Sequence, residues 1–160
     1  MGGRGAGLTM STSAAARFDG PLALAQAMSA LALHEGTAFS REGLRPDVEY
    51  RDLGLSAATG GRVGAKHIRA IAPLPAPTGW HWHDMSAHFV YVLRGSLTFR
   101  FAGNAGDVIV RAGSGLSQPA GVAHNVVARS DDLEVLEINM PADYGTWELQ
   151  QPPAPWEAAR

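Results

Sequence analysis

The chain has 160 residues and a formal net charge of -2, with 13 Lys and Arg against 15 Asp and Glu. That length suits one domain with a tail, and a balance this neutral lacks the basic stripe of a nucleic-acid or anionic-lipid binder. There is no cysteine, which excludes disulfides, thiolate metal sites and cysteine nucleophiles, so any metal site must use nitrogen and oxygen donors.

Residues 1–18 are rich in Gly, Ala, Ser and Thr and read as a disordered tail, within which Met10 is an alternative start. Residues 19–45 read as a helical extension. Asp19 and Pro21 form a start signal, Leu24, Met28 and Leu31 recur at helical spacing, and Gly36 ends the pattern. This stripe suits packing against the domain or a second subunit. The same segment is too interrupted, by Gln26 and Ser29, for a signal-peptide core. No apolar run approaches a membrane span, and the expected location is cytoplasmic.

From residue 46 the texture changes. Short β-prone runs, "VEYRDL", "RVGAKHIRAI", "GWHWH", "HFVYVLRG", "SLTFRF", "DVIVRA", "SGLSQPA", "AHNVVAR" and "LEVLEINM", alternate with Gly, Pro, Asn and Asp turns. Turns this frequent predict an all-β antiparallel sandwich or barrel over residues 46–148 and leave no room for βαβ crossovers. Residues 149–160 are Pro-rich and read as an extended tail.

Three of the six histidines fall between residues 81 and 88. On a strand, residues two apart share a face. His81 and His83 therefore point one way and Trp80 and Trp82 the other, and two imidazoles so spaced can reach one ion. "DMSA" then reverses the chain and His88 opens the next strand. If His88 faces inward, Val90 and Val92 follow it, and Phe89, Tyr91 and Leu93 take the outer face. That parity removes Tyr91 and Trp82 from any cavity. A second constellation, Gly113, Pro119, Gly121 and His124, turns the chain sharply before a strand that His124 can enter facing inward with Val126.

On these two stretches the chain resembles the cupins. Their first motif runs His-x-His, three or four residues, glutamate, six residues, glycine. Here His81, His83, His88 and Gly95 keep that spacing. The second motif runs glycine, five residues, Pro-x-Gly, two residues, histidine, and Gly113, Pro119, Gly121 and His124 keep it. The resemblance covers residues 62–140 and implies a double-stranded β-helix, or jelly-roll-like barrel. Three positions depart from the pattern. His88 replaces the glutamate, Pro75 stands where the leading glycine belongs (Gly79 is nearer), and Ala128 replaces the terminal asparagine, with Asn125 close by.

Carried over position by position, the resemblance implies His81, His83, His88 and His124 as ligands of one divalent transition metal: iron, manganese, nickel, copper or zinc. Four neutral ligands leave the ion its full charge and favour an anionic guest. His88 can also face the ion without binding it, as the acid–base group of the site. Glu137 could accept a ligand imidazole proton, although its run does not reveal which face is inward. His67 is expected at the surface or rim, Asp84 faces away from the ion, and Ser114 and Ser117 lack an acid to complete a triad.

The expected function is a metal-dependent enzyme on a small chelating carbonyl or enol substrate, with a dioxygenase-like reaction preferred. A zinc-dependent cyclase or isomerase resembling the polyketide-cyclase cupins is the alternative, and a non-catalytic binding module a third reading. A homodimer is the family expectation, with the helical extension and the outward Phe89 and Tyr91 as contacts.

Overall fold

Alternation along the β-prone runs becomes alternation of burial. In β4 (Ala87–Arg94), His88, Val90 and Val92 are buried while Phe89, Tyr91 and Leu93 are exposed. In β3 (Trp80–His83), His81 and His83 are buried and the two tryptophans only partly so. These elements come from a computed structural model, which describes residues 35–151. The expected helix at residues 21–33, the tail at 1–18 and the end of the Pro-rich tail lie outside the described residues.

The other strands are β1 (Val48–Asp52), β2 (Gly64–Ala70), β5 (Ser96–Phe101), β6 (Val108–Arg111), β7 (Gly115–Gln118), β8 (His124–Arg129), β9 (Glu134–Met140) and β10 (Thr146–Leu149). They form two five-stranded antiparallel sheets, ordered β1-β2-β9-β4-β7 and β10-β3-β8-β5-β6. All nine expected runs are strands. Only β1–β2 and β5–β6 connect within one sheet; every other link crosses from one sheet to the other. This is the jelly-roll course of the chain, and it agrees with the barrel that the family resemblance implied.

Two glycines of the motifs turn these crossings. Gly95, between β4 and β5, has φ 72°, a conformation that costs other residues a Cβ clash. A Cβ there would also meet the Ser130 hydroxyl and the Leu133 backbone. Gly121, with φ 69°, bends the chain into β8. "DMSA" also crosses between sheets: the Ser86 amide donates to the Met140 carbonyl at 2.7 Å, and the Gly145 amide donates to Asp84 Oδ1 at 2.7 Å.

Two elements escaped the sequence reading. α1 (Leu55–Thr59) is one short turn of helix bounded by Gly54 and Gly60, both left-handed, and five residues are too few to show a helical period. β10 has little apolar alternation of its own. It forms by pairing with β3, Trp147 opposite Trp82, where the two indoles stack at 4.5 Å between ring centres.

Val90, Val92, Leu97, Phe99, Val110, Leu133 and Val135 form the core between the sheets. A buried ion pair ties its edge: Arg129 Nη2 donates to Asp47 Oδ2 at 2.6 Å and to the Ala72 carbonyl at 2.6 Å. Among the described residues no helix is long and apolar enough to cross a membrane.

Candidate metal centre

β3 presents His81 and His83 inward from one strand. β8 begins beside it, with His124 directly opposite His81 in register. Their rings lie 4.4 Å apart, and those of His83 and His124 lie 5.2 Å apart. The three residues each offer a nitrogen within 4.8 Å of the others, which is the spacing that one ion can bridge.

The hydrogen bonds behind the rings decide which nitrogens those are. His81 Nδ1 meets the Gly79 carbonyl at 2.9 Å and His124 Nδ1 the Val122 carbonyl at 3.1 Å. A carbonyl only accepts, so both Nδ1 atoms carry the proton and both Nε2 atoms keep a lone pair. His83 Nδ1 sits 2.9 Å from Thr146 Oγ1, contributed by β10. Outer partners of this kind orient metal-binding imidazoles. Gly79, which departs from the motif in position, supplies one of them.

The rings are poised neutral. Burial lowers all three pKa values; His83 and His124 fall to about 4, with the neighbouring histidines adding to the effect. A neutral imidazole is the form that binds metal, so the donor set fits a divalent transition ion.

His88 enters from the opposite sheet. Its ring stands edge-on to that of His83 at 5.5 Å, but it does not join the group of three. Its Nε2 lies 2.9 Å from Glu137 Oε1. β9 turns Val135 and Glu137 towards the same cavity, which resolves the face that "LEVLEIN" left open. Burial alone would raise the Glu137 carboxyl; the bond from His88 and the positive fields of His88 and Lys66 outweigh it and hold the group below the usual carboxylate range. An ionised carboxylate only accepts. His88 Nε2 therefore donates, and Nδ1, which is buried with no partner, keeps its lone pair when the ring is neutral.

The four expected site residues thus share one cavity but differ in placement. Three converge on a point, and the fourth is anchored to a carboxylate. His67 lies outside the cavity, bonded to Glu134 at 3.0 Å with the ring of Phe39 edge-on to it. Tyr91 and Trp82 do not line the cavity either.

The cavity measures about 170 Å³. Val48, Ile68, Val90, Leu97, Phe99 and Val126 supply apolar wall, and Leu44, largely exposed, marks the rim. Several polar residues here escaped the sequence reading, among them Gln118, Tyr144 and Tyr50. Gln118, opposite His88 in register, is 5% exposed with Oε1 unpartnered. Tyr144 stands edge-on to His83 at 5.3 Å, its phenol pushed up by burial and by Glu137. Tyr50 accepts the Arg45 amide at 3.0 Å. Gln118 sat within the second motif, one residue before Pro119, but a four-residue strand carried no readable parity. Tyr144 lies in a connection with no periodic signal.

Residues 70–139 match the family model described as a cupin domain. These residues form a cupin domain. Solved structures agree at the level of fold. The polyketide cyclase RemF from Streptomyces resistomycificus superposes with TM-score 0.57 at 18% identity, covering 79% of this chain and 89% of that one. KdgF from Halomonas sp. gives 0.53 at 16%, covering 68% and 92%. Oxalate decarboxylase from Bacillus subtilis gives 0.50 at 21%, covering 72% of this chain but only 30% of that longer protein. No curated protein matches the sequence. At the position where the first cupin motif has glutamate, this chain has His88, bonded to the carboxylate of Glu137.

Proposed function

We propose that this cupin is a metal-dependent enzyme that moves a proton at a carbon next to a carbonyl, the chemistry of an isomerase or cyclase. The observation that carries the reading is the His88–Glu137 pair beside three convergent imidazoles. His81, His83 and His124 would hold the ion, through Nε2 in His81 and His124. When bound, a divalent ion polarises a carbonyl oxygen and acidifies the adjacent C–H. His88 Nδ1 takes that proton and returns it to a different atom of the substrate. Glu137 keeps the imidazole in one tautomer and stabilises its charge while it holds the proton. The apolar wall excludes water, and Tyr144 closes one side of the histidine cluster.

The polyketide cyclase among the structural neighbours supports a reaction of this type. Metal dependence is supported by the Mn(II) centres named for the decarboxylase. A second reading, dioxygenase-like, draws on one feature: three rather than four mutually close histidines leave coordination positions for both substrate and dioxygen. The outward Phe89, Tyr91 and Leu93, each at least 36% exposed, are compatible with a homodimer.

The test is metal analysis of the purified protein, then β-diketones in deuterated buffer followed by NMR, with an oxygen electrode in parallel. Deuterium exchange without oxygen uptake, lost in His88→Ala with the metal retained, is the expected result. Oxygen uptake would transfer the reading to the dioxygenase. Metal binding with neither activity would leave a binding module, and absence of bound metal would remove both enzymes.

A further inference from the structure

We propose that the cavity selects a ligand the size of one ring with at least one acidic hydroxyl or enol proton, and that it rejects both fused-ring ligands and oxalate-like dianions. The inference rests on the reading that the histidine cluster holds an ion, and adds the size and hydrogen-bonding character of the guest.

Size comes first. The cavity holds about 170 Å³. An apolar cavity of about 150 Å³ accommodates one benzene ring, whereas sites for drug-sized molecules run to about 300–1,000 Å³. One ring or an equally short chain fills this space, and a second fused ring does not fit beside an ion.

Lining comes second. Side chains such as Ile68, Val90, Leu97 and Val126 cover most of the wall, and although Arg45, Asp47, Thr78 and Arg129 also line it, little polar surface faces the cavity. A ligand that is all oxygen at its surface would face that wall with nothing to gain. Oxalate has no C–H surface to bury, so the apolar side of the cavity argues against it.

The third observation concerns protons. His88 on β4 and Gln118 on β7 are directly opposed in register. Both line the cavity, and His88 Nδ1 and Gln118 Oε1 are both buried without a hydrogen-bond partner. Native proteins rarely leave buried polar atoms unpaired unless a ligand or water completes them. Gln118 Oε1 accepts. The partner that suits it is therefore a donor, the hydroxyl of a phenol or enol. A fully ionised dicarboxylate brings no donor and leaves that bond unmade.

The experiment uses the full chain loaded with zinc and titrated calorimetrically with three probes: catechol, 2,3-dihydroxynaphthalene and oxalate. Catechol is expected to bind at least tenfold more tightly than either of the others. Ile68→Phe should abolish catechol binding with zinc content unchanged, and Ile68→Ala should admit the naphthalene diol. Leu74→Trp, a loop residue that also lines the cavity, repeats the blocking test without touching a strand. Equal or tighter binding of the naphthalene diol overturns the size limit, and tighter binding of oxalate overturns the demand for a donor and an apolar body. If the protein takes up no zinc, the metal reading fails by itself. The size limit is then decided on the metal-free protein by phenol, expected to bind, against 2-naphthol, expected not to.

Discussion

His88 and Glu137 reach one cavity from neighbouring strands of the same sheet, and their side chains meet at 2.9 Å. The contact gives His88 a defined proton: Nε2–H faces the carboxylate and Nδ1 faces no protein partner. Glu137→Gln removes the charge and offers an amide that can donate to Nε2, so the tautomer can invert. Deuterium exchange into a β-diketone should fall about 10²- to 10⁴-fold, the range for losing an oriented acid–base group. Zinc content by mass spectrometry should stay at the wild-type level; a parallel loss of zinc would make Glu137 a determinant of the ion rather than of the proton.

Thr146 lies on the strand that the sequence reading missed, and its hydroxyl meets His83 Nδ1 at 2.9 Å. Thr146→Val keeps the shape and deletes that partner. Metal affinity, measured by competition with a chelating dye, should weaken about 10- to 100-fold, as for other residues that orient a metal-binding imidazole. His124→Ala, by contrast, should abolish stoichiometric binding.

The metal-free protein should lose stability on mild acidification. Burial holds His83 and His124 near a pKa of about 4 and also lowers His81, whereas in the unfolded chain each titrates near about 6.5. Between those values the unfolded state binds protons that the folded state refuses, so stability rises with pH across this window and is fully present above about 6.5. Thermal denaturation of the chelated protein at pH 7.5, 6, 5 and 4.5 should show a falling midpoint. His83→Ala and His124→Ala should each flatten the slope; an unchanged slope in both would place the proton uptake elsewhere.

Arg129 and Asp47 form a buried pair, their side chains 3% and 8% exposed. Asp47→Ala leaves the guanidinium without its counter-charge and should cost about 3–5 kcal/mol in urea unfolding. Replacing both, with Met at 129, should recover a large part of that loss, because the unpaired charge goes with the pair.

Much of the barrel was legible before any coordinates. His81-x-His83 and the run from His88 to Leu93 carry a period of two, and side-chain direction in a strand follows that period whatever the strand pairs with. The inward faces of β3 and β4, the exclusion of Tyr91 and Trp82 from the cavity, and the turns at Gly95 and Gly121 therefore came from local rules. The nearness of His124 to His81 came from motif spacing and its resemblance to a family.

What the chain alone could not convey are relationships between strands distant in sequence. Glu137 is 49 residues from His88 and Thr146 is 63 from His83, and neither pairing leaves a local pattern. β10 has too little alternation to announce itself and exists through its register with β3. The local period thus determined which side chains face inward. Only the packing of two sheets decided which of them meet, because hydrogen bonds and burial act through space, and so three imidazoles converge while the fourth turns its Nε2 to Glu137.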